Sequence, residues 1–240
     1  MLGKTHAVIG AMTGVLLLPY LHIPVHHIPF TDTISNFTTQ YIPQLTGSLV
    51  QGQEAIDQKV AVIIGVGAAI VGSLVPDLDH PNSKLSRDIA PIKIGSRRIT
   101  FLLVAVLSWY LTGIGQIPKE TGIVLSIWIA VVAFLKHRGM THSIVGLLLS
   151  YFAISFIDSS ISLAFGVGYA SHIAADMVTD RGVPLLWPIK YHFHIPTGIR
   201  TGSSIEKGIR FIALCLTVLA FVSVLNGVDL SRVFTYSLRY

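Results

Sequence analysis

The stretch KVAVIIGVGAAIVGSLVPDLDHP, Lys59 to Pro81, decides how the rest of the chain is read. Between Lys59 and Asp77 no side chain is charged, and an unbroken apolar run of about 18 residues has the length of a membrane-crossing helix. The alternation of a barrel strand is absent from it. Gly65, Gly67, Ala68, Ala69 and Gly72 are small enough for another helix to approach closely. Pro76 closes the run, and two carboxylates and an imidazole follow at once in Asp77, Asp79 and His80.

Similar runs recur outward from this one. Candidate spans lie at about 5–21, 59–76, 98–114, 121–136, 143–158, 161–178 and 209–227, several of them shorter than the roughly 20 residues a straight span requires. The expected fold is all-α: a polytopic transmembrane helical bundle of about 6–7 spans, forming a single integral-membrane domain over 1–240. Gly166, Gly168, Ala170 and Ser171 give the sixth run small residues like those of the second, so these two are expected to pack centrally. Composition agrees: of 240 residues 52% are hydrophobic and only 12% charged, with a mean hydropathy of +0.67. A soluble domain carries about 25% charged residues. A secreted soluble enzyme, collagen, a disordered chain and a disulfide scaffold are excluded, and the single Cys215 reads as a small core hydrophobe. Lys4 followed by the apolar Ala7 to Leu18 superficially suggests a signal peptide, but no small-x-small cleavage site follows, and the segment reads as a retained first span.

The net charge of +5 does not point to nucleic acid, because the basic residues sit in short connections between apolar runs and set topology instead. With the N-terminus in the cytoplasm, Lys59, Lys119, Arg232 and Arg239 lie outside and the remaining 13 of the 17 basic residues lie inside. The positive-inside bias favours that orientation, with the C-terminus outside.

Four polar clusters then fall on the cytoplasmic face. His6 opens the first span, Asp77, Asp79 and His80 close the second, His137-Arg138-Gly139-Met140-Thr141-His142-Ser143 joins the fourth to the fifth, and His172 and Asp176 stand four apart near the end of the sixth. Ionisable groups at membrane depth are costly unless paired or metal-bound. Imidazoles mixed with carboxylates suit Zn²⁺ best, with Mn²⁺ or Fe²⁺ as the other candidates, and His6, Asp77, Asp79, His80, His137, His142, His172 and Asp176 are ligands enough for one or two ions. His172 and Asp176 share one helix face. Asp77 and Asp79, two apart on a proline-bounded extended turn, are expected to face inward together. Each cluster has a plainer reading by itself: an interfacial His6, Asp77 and Asp79 capping a loop helix, His137 and Arg138 as topology anchors, and His172 bonded to Asp176 to join helices. Their coincidence at one face favours a shared metal site.

In order and content these motifs, with Gly72-Ser73-Leu74-Val75-Pro76-Asp77-Leu78-Asp79-His80-Pro81 and Gly168-Tyr169-Ala170-Ser171-His172 among them, resemble the YdjM-like family of membrane-bound, predicted metal-dependent hydrolases. The resemblance covers most of the chain. It implies a helical inner-membrane protein of bacteria or archaea whose His and Asp residues bind a divalent metal. The segment from His22 to Lys59 is longer than the family pattern.

A bound ion would lower the pKa of water toward neutrality and polarise an ester or phosphoryl oxygen, so hydrolysis is the natural use. Asp79 or Asp176 is the candidate general base. Arg138 lies within a motif, and with Arg97, Arg98 and Arg200 it flanks the clusters, so a phosphate ester or other ester of a membrane lipid is the expected substrate. Arg97 and Arg98 read equally well as loop charges that set orientation. Arg200-Thr201-Gly202-Ser203-Ser204-Ile205-Glu206 combines a flexible glycine and hydroxyls at a helix start, which suits an anion, although Glu206 alone is also an ordinary first-turn charge. Leu185-Leu186-Trp187-Pro188 and Tyr191 to His194 read as an interfacial aromatic belt. The alternatives are a divalent-metal transporter, which the lack of midplane charge in spans three, four, five and seven disfavours, and a non-catalytic membrane protein whose metal is structural. His22, His26 and His27 would serve capture in a transporter.

Overall fold

A computed structural model describes residues 1–17, 46–79, 97–134, 139–157 and 159–226; for 46–58, 78–79, 97–98, 100, 159–160 and 225 it describes the backbone alone. Seven α-helices are found among them: α1 (Gly3–Leu17), α2 (Thr46–Leu74), α3 (Arg97–Gly113), α4 (Lys119–Phe134), α5 (Ile144–Ser155), α6 (Ser159–Met177) and α7 (Ser204–Leu225). Each coincides with one of the seven apolar runs; α2 begins well before the run that marks it. Two stretches are long and apolar enough to cross a membrane, Lys59–Asp77 with 19 residues and Ser204–Val224 with 21. The 12 residues of α5 extend only about 18 Å, against the roughly 30 Å of a hydrocarbon core.

Small residues bring the central helices together. α2 and α6 make the most extensive contact, and α1 lies across both and against α7. A β-carbon on Gly72 would collide with the carbonyl oxygen of Phe165, and one on Gly168 with that of Ala69, so these two positions set the α2–α6 spacing. α5 packs on α6, and α3 pairs with α4 in a hairpin. The Thr121 hydroxyl at the start of α4 donates to the carbonyl of Phe156 at 2.5 Å and ties that hairpin to the end of α5.

The distribution of side chains suits a lipid surround. Large apolar groups such as Val106, Trp109, Phe134, Phe152, Phe211 and Leu219 face outward, whereas the interior combines alanines and a smaller number of larger apolar side chains with hydroxyls, histidines and two carboxylates. Several interior hydroxyls donate to the preceding turn of their own helix, as Ser126 does to Gly122 at 2.6 Å and Ser150 to Gly146 at 2.7 Å, whereas the buried hydroxyls of Thr5 and Ser108 have no hydrogen-bond partner among the described residues. One apolar cluster, Phe165, Tyr169 and Ile173 of α6 with Val183 beyond it, lies beneath the end of the bundle at which the polar residues gather.

Pro76 ends α2, but the chain beyond it does not become extended. Val75–Asp79 forms a 3-10 turn. The expectation of an extended turn is therefore corrected: proline at position 76 breaks the α-helical ladder while its fixed φ remains compatible with a tighter helix.

Candidate metal centre

Four elements each deliver side chains to one buried point. His6 lies in the second turn of α1, Asp77 on the 3-10 turn after α2, His142 at the end of a second 3-10 turn (Met140–His142), and His172 and Asp176 one turn apart on α6. His142 is held in place locally. Ser143 caps α5 by accepting from the Gly146 amide at 3.2 Å and donates its own proton to the Met140 carbonyl at 2.6 Å, while the buried Tyr169 hydroxyl donates to the Thr141 carbonyl at 2.5 Å.

The donor atoms form a tight polyhedron. His6 Nε2 lies 3.2 Å from Asp176 Oδ1 and 3.9 Å from Asp77 Oδ2. His142 Nε2 lies 3.3 Å from His172 Nε2, 3.7 Å from Asp77 Oδ1 and 3.8 Å from Asp176 Oδ2. His172 Nε2 lies 4.0 Å from Asp77 Oδ1 and 3.9 Å from Asp176 Oδ2. Ligands bound at about 2.0–2.1 Å in a tetrahedron stand about 3.3 Å apart, so these separations are close to the edges of a coordination shell. The His6 and His172 rings stack with centroids 3.8 Å apart, and His142 meets His172 edge-on at 5.1 Å.

Three observations fit this donor set to a divalent cation. His6 is fully buried and neither ring nitrogen makes a hydrogen bond; Nε2 is near Asp176 but off the line of an N–H bond. His172 Nδ1 lies 2.7 Å from the Ser73 carbonyl, which can only accept, so Nδ1 carries the proton and Nε2 presents its lone pair to the cluster. The carboxylates of buried Asp176 and part-buried Asp77 lie among imidazoles, and the α-amino group of Met1, lying against Asp176 Oδ1, is the cationic group beside them among the described residues. His6–Asp77–His172 and His142–His172–Asp176 could each hold an ion. They share His172, whose Nε2 has one lone pair, so it can serve one ion at a time.

The other residues singled out in the sequence are placed as follows. His80, His137 and Arg138 lie outside the described residues, as do His22, His26 and His27, and the side chains of Asp79, Arg97 and Arg98 are likewise not described. Arg200 is 88% exposed and lies 3.9 Å from Asp180 on the surface. Ser203 caps α7 by accepting from the Glu206 amide at 3.3 Å. Buried Glu206 accepts from the amides of Gly202 and Leu2, each at 2.6 Å. Its carboxylate thus occupies the helix start where the sequence suggested a bound anion, and it fastens the head of α1 beside the cluster. Sequence reasoning missed this clamp and the Met1 contact, because both join residues about 200 and 175 positions apart. The Ser-x-x-Glu spacing at Ser203 and Glu206 was the available signal, although Glu206 reaches past Ser203 to Gly202.

Apolar helices with outward-facing large side chains, closed at one end around histidines and aspartates, define a helical membrane protein with a potential metal centre. The chain belongs to the YdjM inner membrane protein family, whose model matches residues 1–233. It is 34% identical over 161 residues to the inner membrane proteins YdjM of Escherichia coli (strain K12) and Shigella flexneri, a match covering 64% of this chain and 63% of each relative. The chain thus spans less than two thirds of the length of those curated relatives. To the uncharacterized protein YvsG of Bacillus subtilis (strain 168) it is 26% identical over 147 residues, covering 60% of this chain and 70% of the relative. No solved structure matches it.

Proposed function

We propose that this chain is a multi-pass inner-membrane hydrolase, with its N-terminus and active site at the cytoplasmic face, that uses a divalent metal to cleave a phosphate ester or other ester of a membrane lipid. The observation that carries the reading is the convergence of His6, Asp77, His142, His172 and Asp176 with donor atoms 3.2–4.0 Å apart. These five would hold one ion, Zn²⁺ as first choice and Mn²⁺ or Fe²⁺ next; a second ion would draw on Asp79, His80 and His137. The ion supplies Lewis acidity toward the substrate oxygen and acidifies water.

The chain's own groups supply the rest. Asp77 is 19% exposed where the other four side chains are at most 2% exposed, so the cluster has one accessible side, as a substrate requires and a sealed structural site does not. Of Asp79 and Asp176, one that does not coordinate the ion would take the proton from water, and Arg138, with Arg97 and Arg98, would bind the phosphate oxygens in bidentate fashion. The test is release of phosphate or headgroup from phosphatidic acid, phosphatidylglycerol and lipid pyrophosphates by protein purified in detergent, with and without chelator. Metal-dependent cleavage abolished by His142→Ala supports the reading. Robust metal flux in proteoliposomes with no lipid cleaved replaces it with the transporter.

A further inference from the structure

Just after Asp176, at the end of α6, the chain runs from Val178 to Ser203 without a helix, and the segment is anchored at its base. Ile195 N donates to Met177 O at 2.7 Å, Val183 and Phe193 exchange hydrogen bonds of 3.0 and 2.8 Å, and Leu185 O accepts from Ile144 N at 3.1 Å, two residues beyond His142. Val183 is buried against Phe165, Tyr169 and Ile173. The loop is thus fixed relative to the His/Asp cluster.

Its outer part is apolar and uncovered. Leu186, Trp187, Ile189, Tyr191 and Ile195 are 38–62% exposed. The backbone there is equipped to leave water: Pro184, Pro188 and Pro196 have no N–H, and the amides of Trp187 and Ile189 donate within the loop to Pro184 and Leu186 at 3.1 and 3.0 Å. Its charge is mainly positive, with Asp180, 3.9 Å from Arg200, the acidic residue at its base. Arg181, Lys190 and Arg200 have no acidic residue among them between Asp180 and Glu206, and Lys190 lies between the exposed Ile189 and Tyr191. Exposed aromatic and aliphatic tips interleaved with basic residues match the headgroup boundary of an anionic leaflet.

We infer that the loop from Pro184 to Pro196 inserts its apolar tip into the headgroup region of an anionic leaflet and sets the depth of the His/Asp cluster beneath that surface. The inference rests on the membrane placement proposed above but not on metal binding or hydrolysis, so it stands or falls separately from them.

The test uses the full chain reconstituted in vesicles, with Trp109 and Trp128 replaced by Phe so that Trp187 is the sole tryptophan. Brominated phosphatidylcholine or phosphatidylglycerol, with bromines near the headgroup or near the acyl terminus, reports depth and lipid preference. Trp187 is expected to be quenched most by the shallow bromines, and roughly two- to fivefold more by phosphatidylglycerol than by phosphatidylcholine at equal mole fraction. In Arg181→Ser/Lys190→Ser/Arg200→Ser the two lipids should quench alike. Trp187 emission untouched by every brominated lipid, or changing only with protein density as a second copy would cause, overturns the inference; so does equal quenching by both lipids before the charges are removed. Should the tryptophan-reduced chain fail to fold, the quenching lost on Trp187→Phe in the otherwise native chain gives the same reading.

Discussion

His172 Nδ1 donates to the carbonyl oxygen of Ser73 across 2.7 Å, joining residues 99 apart in sequence. The bond lies one residue beyond Gly72 and four beyond Gly168, the two glycines that let α2 and α6 approach closely, and it fixes both the tautomer and the aim of the imidazole. The small residues of the helix interface and the donor set are therefore one construction: the helices must approach this closely for a main-chain carbonyl to orient the ring.

Removing that ring should empty the cluster. Purified protein is expected to retain about one equivalent of divalent transition metal, and His172→Ala, His6→Ala or Asp176→Asn to lose most of it, by mass-spectrometric metal analysis. Full stoichiometry in all three variants would reject the site.

Tyr169→Phe separates positioning from ligation. It removes the hydroxyl that holds the Thr141 carbonyl, at a cost of about 0.5–1.5 kcal/mol in stability, and the freed turn carrying His142 should weaken metal binding roughly tenfold in competition with a chromogenic chelator. Unchanged affinity would show that His142 does not depend on this bond.

At the helix interface, Gly72→Val and Gly168→Val must each push a side chain into main-chain atoms, and thermal unfolding in detergent should show losses of at least about 1–3 kcal/mol. Gly67, with nothing within 4 Å of an added β-carbon, is the control. Gly67→Ala is expected to leave stability unchanged or raise it by up to about 1 kcal/mol.

Glu206 and Arg200 should behave oppositely although both were read from the same segment. Glu206→Ala strands the amides of Leu2 and Gly202 and frees the head of α1, with an expected loss of about 1–3 kcal/mol and weaker metal retention. Arg200→Ala, at an exposed position 3.9 Å from Asp180, should alter stability by less than about 0.5 kcal/mol.

Chelation offers a test without mutation. A cation bound among these five groups stabilises only the folded protein, so removing it should lower the unfolding temperature and restoring it should reverse the change; Asp77→Asn, already weakened in binding, should respond less.

The amino-acid order alone determined the class of protein and the positions of its helices. Apolar runs with at most one charged residue each have few places to reside other than lipid, and all seven appear as helices within a few residues of their expected limits, apart from the early start of α2. The residue types also pointed to a cluster that could hold a metal ion, because histidine and aspartate are costly at membrane depth without a partner. The i, i+4 pairing of His172 and Asp176 was legible for the same local reason. What the sequence could not express is whatever depends on two distant segments meeting. The contact of the Met1 amine with Asp176, the clamp from Glu206 to Leu2 and the Ser73 carbonyl behind His172 all follow from helix packing. The turn at Pro76 is 3-10 rather than extended, although proline's fixed φ is compatible with both. Local patterns report the period and polarity of a segment; only the packed bundle decides which faces come within a few ångströms of one another, and a metal site is defined at that scale.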